Sequence, residues 1–166
     1  FQGRARLALD AEGRFLALHA QMAGDMGAYC SAFGPAVPTN SVSTAIGGVY
    51  AIPAILLEVE GAFTNSAPVD AYRGAGKPEA NYLTERLIEA AARQTGIDAV
   101  ELRRRNVSRQ FPTVSALGME IDTGRQAENI EAAERLADRP GFAARRAASE
   151  ARGMRRGLGI TGFMET

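Results

Sequence analysis

The sequence predicts an α+β fold in two layers, a small mixed β-sheet of about four strands with helices packed on one face. Three observations lead there. Two short alternating runs near the start are joined by a glycine turn. A third alternating run spans Ala54 to Phe63. From Pro78 onward the apolar spacing changes from every second residue to every third or fourth.

Taken in order, Arg4 to Asp10 places Ala5, Leu7 and Leu9 on one side, and Arg14 to Met22 places Leu16, Leu18, Ala20 and Met22 on one side. Ala11-Glu12-Gly13 between them reads as a hairpin turn. His19 falls on the opposite side of the second strand and is expected to be exposed or satisfied locally. Gly24 to Asn40 is broken by glycine and proline too often for a long regular element. Thr39, Asn40, Ser41 and Ser43 are candidate caps for a short helix through Ile46, which Gly47-Gly48 would end. In the strand Ala54–Phe63, Ile55, Leu57, Val59 and Phe63 share a side, with Glu58 and Glu60 opposite.

The long helix is expected from Pro78 to Thr95, with an inward stripe of Ala80, Leu83, Leu87 and Ala91 widened by Ile88. Glu79, Glu85, Glu89 and Arg93 would lie outside, and Gly96 would cap the end. Asp98 and Glu101 suggest a capping box for a short helix to Arg105. Adjacent residues on a helix point in different directions, so Arg103, Arg104 and Arg105 are expected on a solvated, partly salt-bridged surface. Met119–Asp122 is a short strand candidate. Helices are expected over Glu128–Leu136 and from Pro140 to about Arg152, where Arg145, Arg146, Arg152, Arg155 and Arg156 form a solvated face. Leu158 to Thr166 reads as a strand cut short. With Phe1 at the start, it suggests a single domain over residues 1–166 that is an internal fragment of a longer polypeptide.

The composition is neutral, with 19 basic and 19 acidic residues among 166, so no global field favours nucleic acid or a membrane surface. No apolar run is long enough to span a bilayer and no leader is visible, so a cytoplasmic location is expected. A single cysteine, Cys30, and a single histidine, His19, exclude an internal disulfide and argue against a cysteine- or histidine-built metal site within these residues. No metal ligand and no catalytic residue is assigned.

The stretch that carries chemistry is Asp70 to Ala80. Gly74, Ala75 and Gly76 follow Arg73, and Pro78 then opens the long helix. Glycines let a backbone turn tightly and let a ligand come close. A helix start presents unpaired N–H groups that favour an anion, and arginine adds a permanent forked charge. Arg73, Gly74, Ala75 and Gly76 therefore form a candidate cradle for a phosphate-like group, against the plainer alternative of a loop-to-helix junction.

These residues carry a family resemblance. Ala71-Tyr72-Arg73-Gly74-Ala75-Gly76-Lys77-Pro78-Glu79-Ala80, Glu85-Arg86-Leu87-Ile88, Gly96-Ile97-Asp98 and Glu101 to Asn106 resemble the molybdenum-binding subunit of the xanthine oxidase family. That family includes aldehyde oxidoreductases, aerobic carbon monoxide dehydrogenases and bacterial N-heterocycle hydroxylases. Gly27-Ala28-Tyr29, Tyr50-Ala51-Ile52-Pro53, Thr64-Asn65 with Pro68, Gly118 and Asp122-Thr123-Gly124 match in the same order. The resemblance implies hydroxylation of an aldehyde or N-heterocycle with water-derived oxygen at a molybdenum–molybdopterin cofactor, in a dinucleotide form. Electrons would leave through [2Fe–2S] clusters to FAD in partner subunits or domains. It further implies that Arg73 helps bind the pterin cofactor and that Gly74, Ala75 and Gly76 line the pocket. The partners implied are the rest of the molybdenum subunit, an iron–sulfur subunit, an FAD subunit and a small-molecule substrate, with no nucleic acid and no membrane.

Departures from the family pattern narrow the substrate. Gly74 stands where carbon monoxide dehydrogenases carry a copper-ligating cysteine. Ala75 stands where xanthine enzymes carry a stacking phenylalanine. No arginine lies near Ser41, where xanthine enzymes use one. The family's catalytic glutamate falls outside the matched residues, so the segment alone is expected neither to hold the cofactor well nor to turn over. Two other readings compete: a carbon monoxide dehydrogenase large chain or homologue, and a non-catalytic α+β interaction domain.

Overall fold

The computed structural model describes residues 1–164. Its central sheet has three strands in the order β1 (Gln2–Leu9), β2 (Phe15–Gly27) and β3 (Ala54–Phe63). β1 and β2 form the expected antiparallel hairpin, and β2 and β3 run parallel, so the sheet is mixed. β2 extends to Gly27, past the Met22 boundary expected from the sequence. Its punctuating glycine at 24 is needed for space, because a Cβ there would lie 2.8 Å from the Pro38 Cβ.

Alternation assigns the two sides of the sheet. Leu18, Ala20 and Met22 are buried, and Ala5, Leu7, Ile55, Leu57 and Val59 pack partly buried beside them. The opposite side is left open, with Leu56 55% exposed. Phe63 has the parity of the core side yet is 67% exposed. His19 lies on the open side and is satisfied locally: its Nε2 is 2.6 Å from Glu58 Oε2.

A one-turn α1 (Val42–Ala45) and the long α2 (Lys77–Thr95) pack on the core side. α1 follows a tight 3-10 turn over Gly34–Ala36 and a wider π turn over Val37–Ser41, and no side chain caps it. The expected caps fail because the chain already turns helically at Ser41, so α1 has no extended residue at its start. α2 buries Ala80, Asn81, Thr84, Glu85, Ile88 and Ala91. Leu83 and Leu87 are only partly buried, at the side facing β1. The buried stripe is thus rotated toward the polar side of the helix. Hydrophobic spacing could not show this, because Thr84 and Glu85 are inward for hydrogen bonding.

α3 (Ala99–Asn106) starts on Asp98, whose Oδ1 accepts from the Val100 and Glu101 N–H groups. Glu101 does not complete a capping box; it accepts from Arg104 and Arg105 instead. At the other end of α3, buried Asn106 receives the Phe15 N–H at 2.7 Å and donates to Gly13 O at 2.9 Å. That amide clamps the hairpin turn onto the helix layer.

β4 (Thr113–Val114) and β5 (Glu120–Ile121) form a separate two-stranded ladder. α4 (Gln126–Leu136) and α5 (Phe142–Glu150) follow. α4 reaches the core through Ile130 and holds α3 through Glu134, which accepts from Arg104. Pro140 lies in the turn before α5, whose arginines pair locally: Arg145 with Asp138 and Arg146 with Glu150. The expected last strand does not form. Residues 158–164 belong to no helix or strand, and the last two residues of the expected strand lie outside the described range.

Candidate functional site

The Arg73–Gly76 loop sits immediately before α2, as the sequence places it. Its shape is set by two glycines in the left-handed region, Gly74 at φ +77° and Gly76 at φ +80°. Short backbone bonds close it, Ala75 N–H to Tyr72 O at 2.8 Å and Lys77 N–H to Gly74 O at 2.7 Å. Gly76 is buried, and a Cβ on it would lie 2.5 Å from Val37 O and 2.9 Å from Val42 N. The loop is therefore pressed, backbone to backbone, onto the turn that precedes α1. Gly74 and Ala75 are half-buried, while Arg73 is exposed and has no hydrogen-bond or ion-pair partner among the described residues.

Three other segments hold this corner together. The Gly27 Cα approaches Pro68 so closely that a Cβ on Gly27 would lie 2.4 Å from the Pro68 Cα. A Cβ on Gly34 would lie 2.9 Å from Val69 O. Asp25, at the end of β2, accepts from Gly27 N–H (2.8 Å), Thr64 Oγ (2.7 Å) and Ser66 Oγ (3.1 Å). These bonds, Thr64 first, hold the Asp25 carboxyl below its ordinary pKa. Asp25 thus ties the segment after β3 to β2 and aims it at the glycine loop. Spacing along the chain gave no sign of Asp25, because its partners are 39 and 41 residues away.

The irregular Gly24–Asn40 stretch is the floor of this corner. Four rings on the joined segments, Tyr29, Phe33, Phe63 and Tyr72, are each at least 65% exposed. Two wide clefts lie elsewhere. One of about 780 Å³ is between α3, α4 and residues 158–160, and one of about 690 Å³ is between β1 and α2. The glycine loop is an open wall with a free cation, not an enclosed cavity of these residues.

A second polar cluster lies further along α2. Arg103 was expected at a solvated surface but is 1% exposed. Its Nε donates to Glu85 Oε2 at 2.8 Å and its Nη1 to Ala99 O at 3.0 Å, while its Nη2 lies 2.7 Å from Glu85 Oε2 and 3.0 Å from Glu89 Oε1 as an ion pair. Glu85, expected outside, is also buried; its Oε1 accepts the Tyr50 hydroxyl at 2.6 Å and the Gly162 N–H at 3.0 Å. Burial and the neighbouring Glu85 carboxylate push the Tyr50 hydroxyl well above its ordinary pKa, so it stays a donor. Burial opposes the Arg103 charge, and Glu85, Tyr50 and Glu89 together more than offset it. Arg104 and Arg105 pair with Glu101 on the expected partly salt-bridged surface, but α3 turns Arg103 inward beneath α2.

The family model for the molybdopterin cofactor-binding domain matches residues 1–107, which contain both the loop and the ion-pair cluster. The chain belongs to that family. It is 35% identical to the nicotine 6-hydroxylase large subunit of Paenarthrobacter nicotinovorans over 96% of this chain and 20% of that protein. Against the carbon monoxide dehydrogenase large chain of Hydrogenophaga pseudoflava it is 32% identical, over 87% of this chain and 19% of that one. Among solved structures, quinoline 2-oxidoreductase from Pseudomonas putida 86 superposes with a TM-score of 0.78 at 35% identity, over 92% of this chain and 20% of that one. The chain spans about a fifth of the length of these relatives. These relatives are oxidoreductases, two of them named as large subunits or chains, as the family resemblance implies. No helix of the described residues is long and apolar enough to cross a membrane.

The cofactor that the family name specifies can be tested against this corner. An anionic group needs donors, room and a fixed wall. Arg73 supplies a free guanidinium, Gly74 and Ala75 leave the surface low, and the buried Gly76 fixes the loop. The residues fit the group as one side of its site.

Proposed function

We propose that residues 1–166 are one domain inside the large subunit of a molybdenum hydroxylase, and that the Arg73–Gly76 loop forms one wall of its molybdopterin and substrate pocket. The observation that carries this is Arg73, an unpartnered cation on a loop whose backbone is locked in place. Arg73 binds the anionic part of the cofactor by charge-assisted hydrogen bonds. Gly74, Ala75 and Gly76 let the cofactor and the substrate approach the backbone. When bound, the cofactor supplies the redox chemistry that places a water-derived oxygen on a substrate carbon. The protein's part is to orient and to exclude water, which needs walls beyond these residues; the exposed rings at Tyr29, Phe33, Phe63 and Tyr72 are surfaces for such walls.

Likeness to a nicotine hydroxylase and to a quinoline oxidoreductase supports an N-heterocycle as substrate. Likeness to the aldehyde oxidoreductase of Desulfovibrio gigas, 27% identical with a TM-score of 0.74, supports an aldehyde as the other class. The dinucleotide form of the pterin, the [2Fe–2S] and FAD partner subunits and a cytoplasmic location belong to the same proposal. The similarity to carbon monoxide dehydrogenase large chains supports a second reading as a homologue of those chains. Gly74 leaves no sulfur at the loop for copper, which favours hydroxylation instead.

Metal and pterin analysis of the full-length protein, co-expressed with its neighbouring subunits, tests the proposal. Wild type is expected to carry molybdenum and pterin, and Arg73→Ala is expected to lose much of both or most of the activity. Full-length protein without molybdenum, under conditions that load a known relative, would instead support a non-catalytic interaction domain.

A further inference from the structure

β3 is the outer strand on one side of the sheet, and one edge of its 10 residues pairs with nothing among the described residues. Peptide groups along a strand face alternately to either side, so half of those in β3 point outward from this edge. An unpaired edge of this length is a template for another strand. Several devices that protect such edges are missing: β3 contains no lysine, no proline and no extra residue, the register shift lying on the β2 side between Asp25 and Gly27.

The side chains are also unfinished there. On the core side, Leu18, Ala20 and Met22 of β2 are buried, but their β3 partners Ile55, Leu57 and Val59 remain partly open. On the open side the charge changes across the sheet. Arg4 of β1 stands opposite Gln21 of β2, which stands opposite Glu58 of β3. Glu58 is held by His19 and Gln21, whereas Glu60 has no hydrogen-bond or ion-pair partner among the described residues.

We propose that the free edge of β3 receives a strand from another part of the same full-length polypeptide. That strand has apolar side chains at alternate positions facing the helix layer, and lysine or arginine opposite Glu58 and Glu60. Two arguments select this occupant. The matched region is 20% of a relative such as nicotine 6-hydroxylase, so most of such a chain is free to supply the strand. A second copy of β3, paired about a two-fold axis at Val59, would set Glu58 against Glu60, and like charges directly opposite are destabilising. Pairing with β1 of a second copy would match Arg4 and Arg6 to the glutamates, but that head-to-tail contact joins two different edges and builds a ring or a filament of many copies, not a self-complementary pair. The proposal rests on these residues being part of a larger subunit and is independent of cofactor binding.

Residue-resolved amide hydrogen exchange over 54–63 in the full-length subunit tests it, with molybdenum content measured on the same sample so that the two readings fail separately. Both alternating sets of β3 amides are expected to exchange as slowly as those of β2, which is paired on both sides. Glu60→Lys is expected to speed the outward set by a few-fold while the inward set stays slow, the size of a like-charge penalty across a ladder. Glu60→Gln, which removes the charge without reversing it, is expected to give a smaller change of the same sign. An outward set that exchanges at the rate of an unstructured peptide beside a protected inward set overturns the proposal. So does protection that disappears on dilution to monomer, which would assign the edge to a second copy.

Discussion

Arg73, just before α2, and Arg103, against the middle of α2, meet opposite surroundings. Arg73 stands exposed just before the helix, with no partner among the described residues. Arg103 is 1% exposed beneath the helix, against Glu85 and Glu89. The difference shows how one side-chain type serves two purposes. A buried guanidinium is committed to the fold, because leaving it or its carboxylate alone in the interior is costly. An exposed guanidinium on a rigid loop adds little to the fold and is available to an anion from outside.

The largest effect should come from breaking the buried pair. Arg103→Leu strands Glu85 and Glu89 and is expected to destabilise the protein by about 3–5 kcal/mol, read as a drop in the unfolding midpoint. Replacing both partners, Glu85→Gln with Arg103→Met, is expected to recover part of that loss, because neither residue then leaves a lone charge. Arg73→Ala is expected to change the midpoint by no more than about 0.5 kcal/mol while lowering cofactor content. Equal stability losses at the two arginines would erase the contrast.

The loop's rigidity can be separated from its charge. Gly76 and Gly96 flank α2 with nearly the same φ, +80° and +75°, but only Gly76 has neighbours where a Cβ would go. Gly96→Ala meets nothing within 4 Å, so it costs only the left-handed backbone, about 1 kcal/mol. Gly76→Ala adds a collision with the Val37 carbonyl and is expected to cost more than Gly96→Ala and to lower cofactor content as well. Equal costs at the two glycines would show that the turn before α1 yields and does not brace the loop.

The same contrast explains what was legible in the sequence. The hairpin, β3, α2 and the glycine loop were visible because alternation, helical spacing and Gly-Pro punctuation are local signals. Asp98 was visible as a cap for the same reason. Glu85, Arg103, Asn106 and Asp25 were not, because each acts on residues far along the chain. Asn106 reaches Gly13 and Phe15 across 93 and 91 positions, and no periodicity encodes such a pairing. The last strand was expected from composition alone. At the end of the described chain two backbone groups meet α2 side chains instead, Gly162 N–H donating to Glu85 and Met164 O accepting from Asn81, and residues 158–164 join no ladder. Arg73 is a candidate by local pattern, yet its lack of partners among the described residues, the feature that leaves it available, is a property of the fold.

The smallest effect concerns Asp25, which joins the loop corner to the sheet. Its carboxyl is held below the ordinary value by Thr64, Gly27 and Ser66, so the unfolded chain binds more protons than the folded one in the acid range. The stabilisation is then complete above the ordinary aspartate value of about 3.9 and fades as the pH falls through the lower folded value. Exchange of the Ala28 and Thr64 amides, which bond Ser66 O and Gly27 O, reports this corner directly. Both are expected to speed up as the pH is lowered below about 4, beyond the change that free amides show. Asp25→Asn should loosen the same amides at neutral pH and abolish the extra acid response, because its amide offers one acceptor oxygen where three donors converge. A variant that keeps the full acid response would move the titrating group elsewhere. The corner would then be held by the close approach of Gly27 to Pro68, with the Asp25 carboxylate adding nothing measurable.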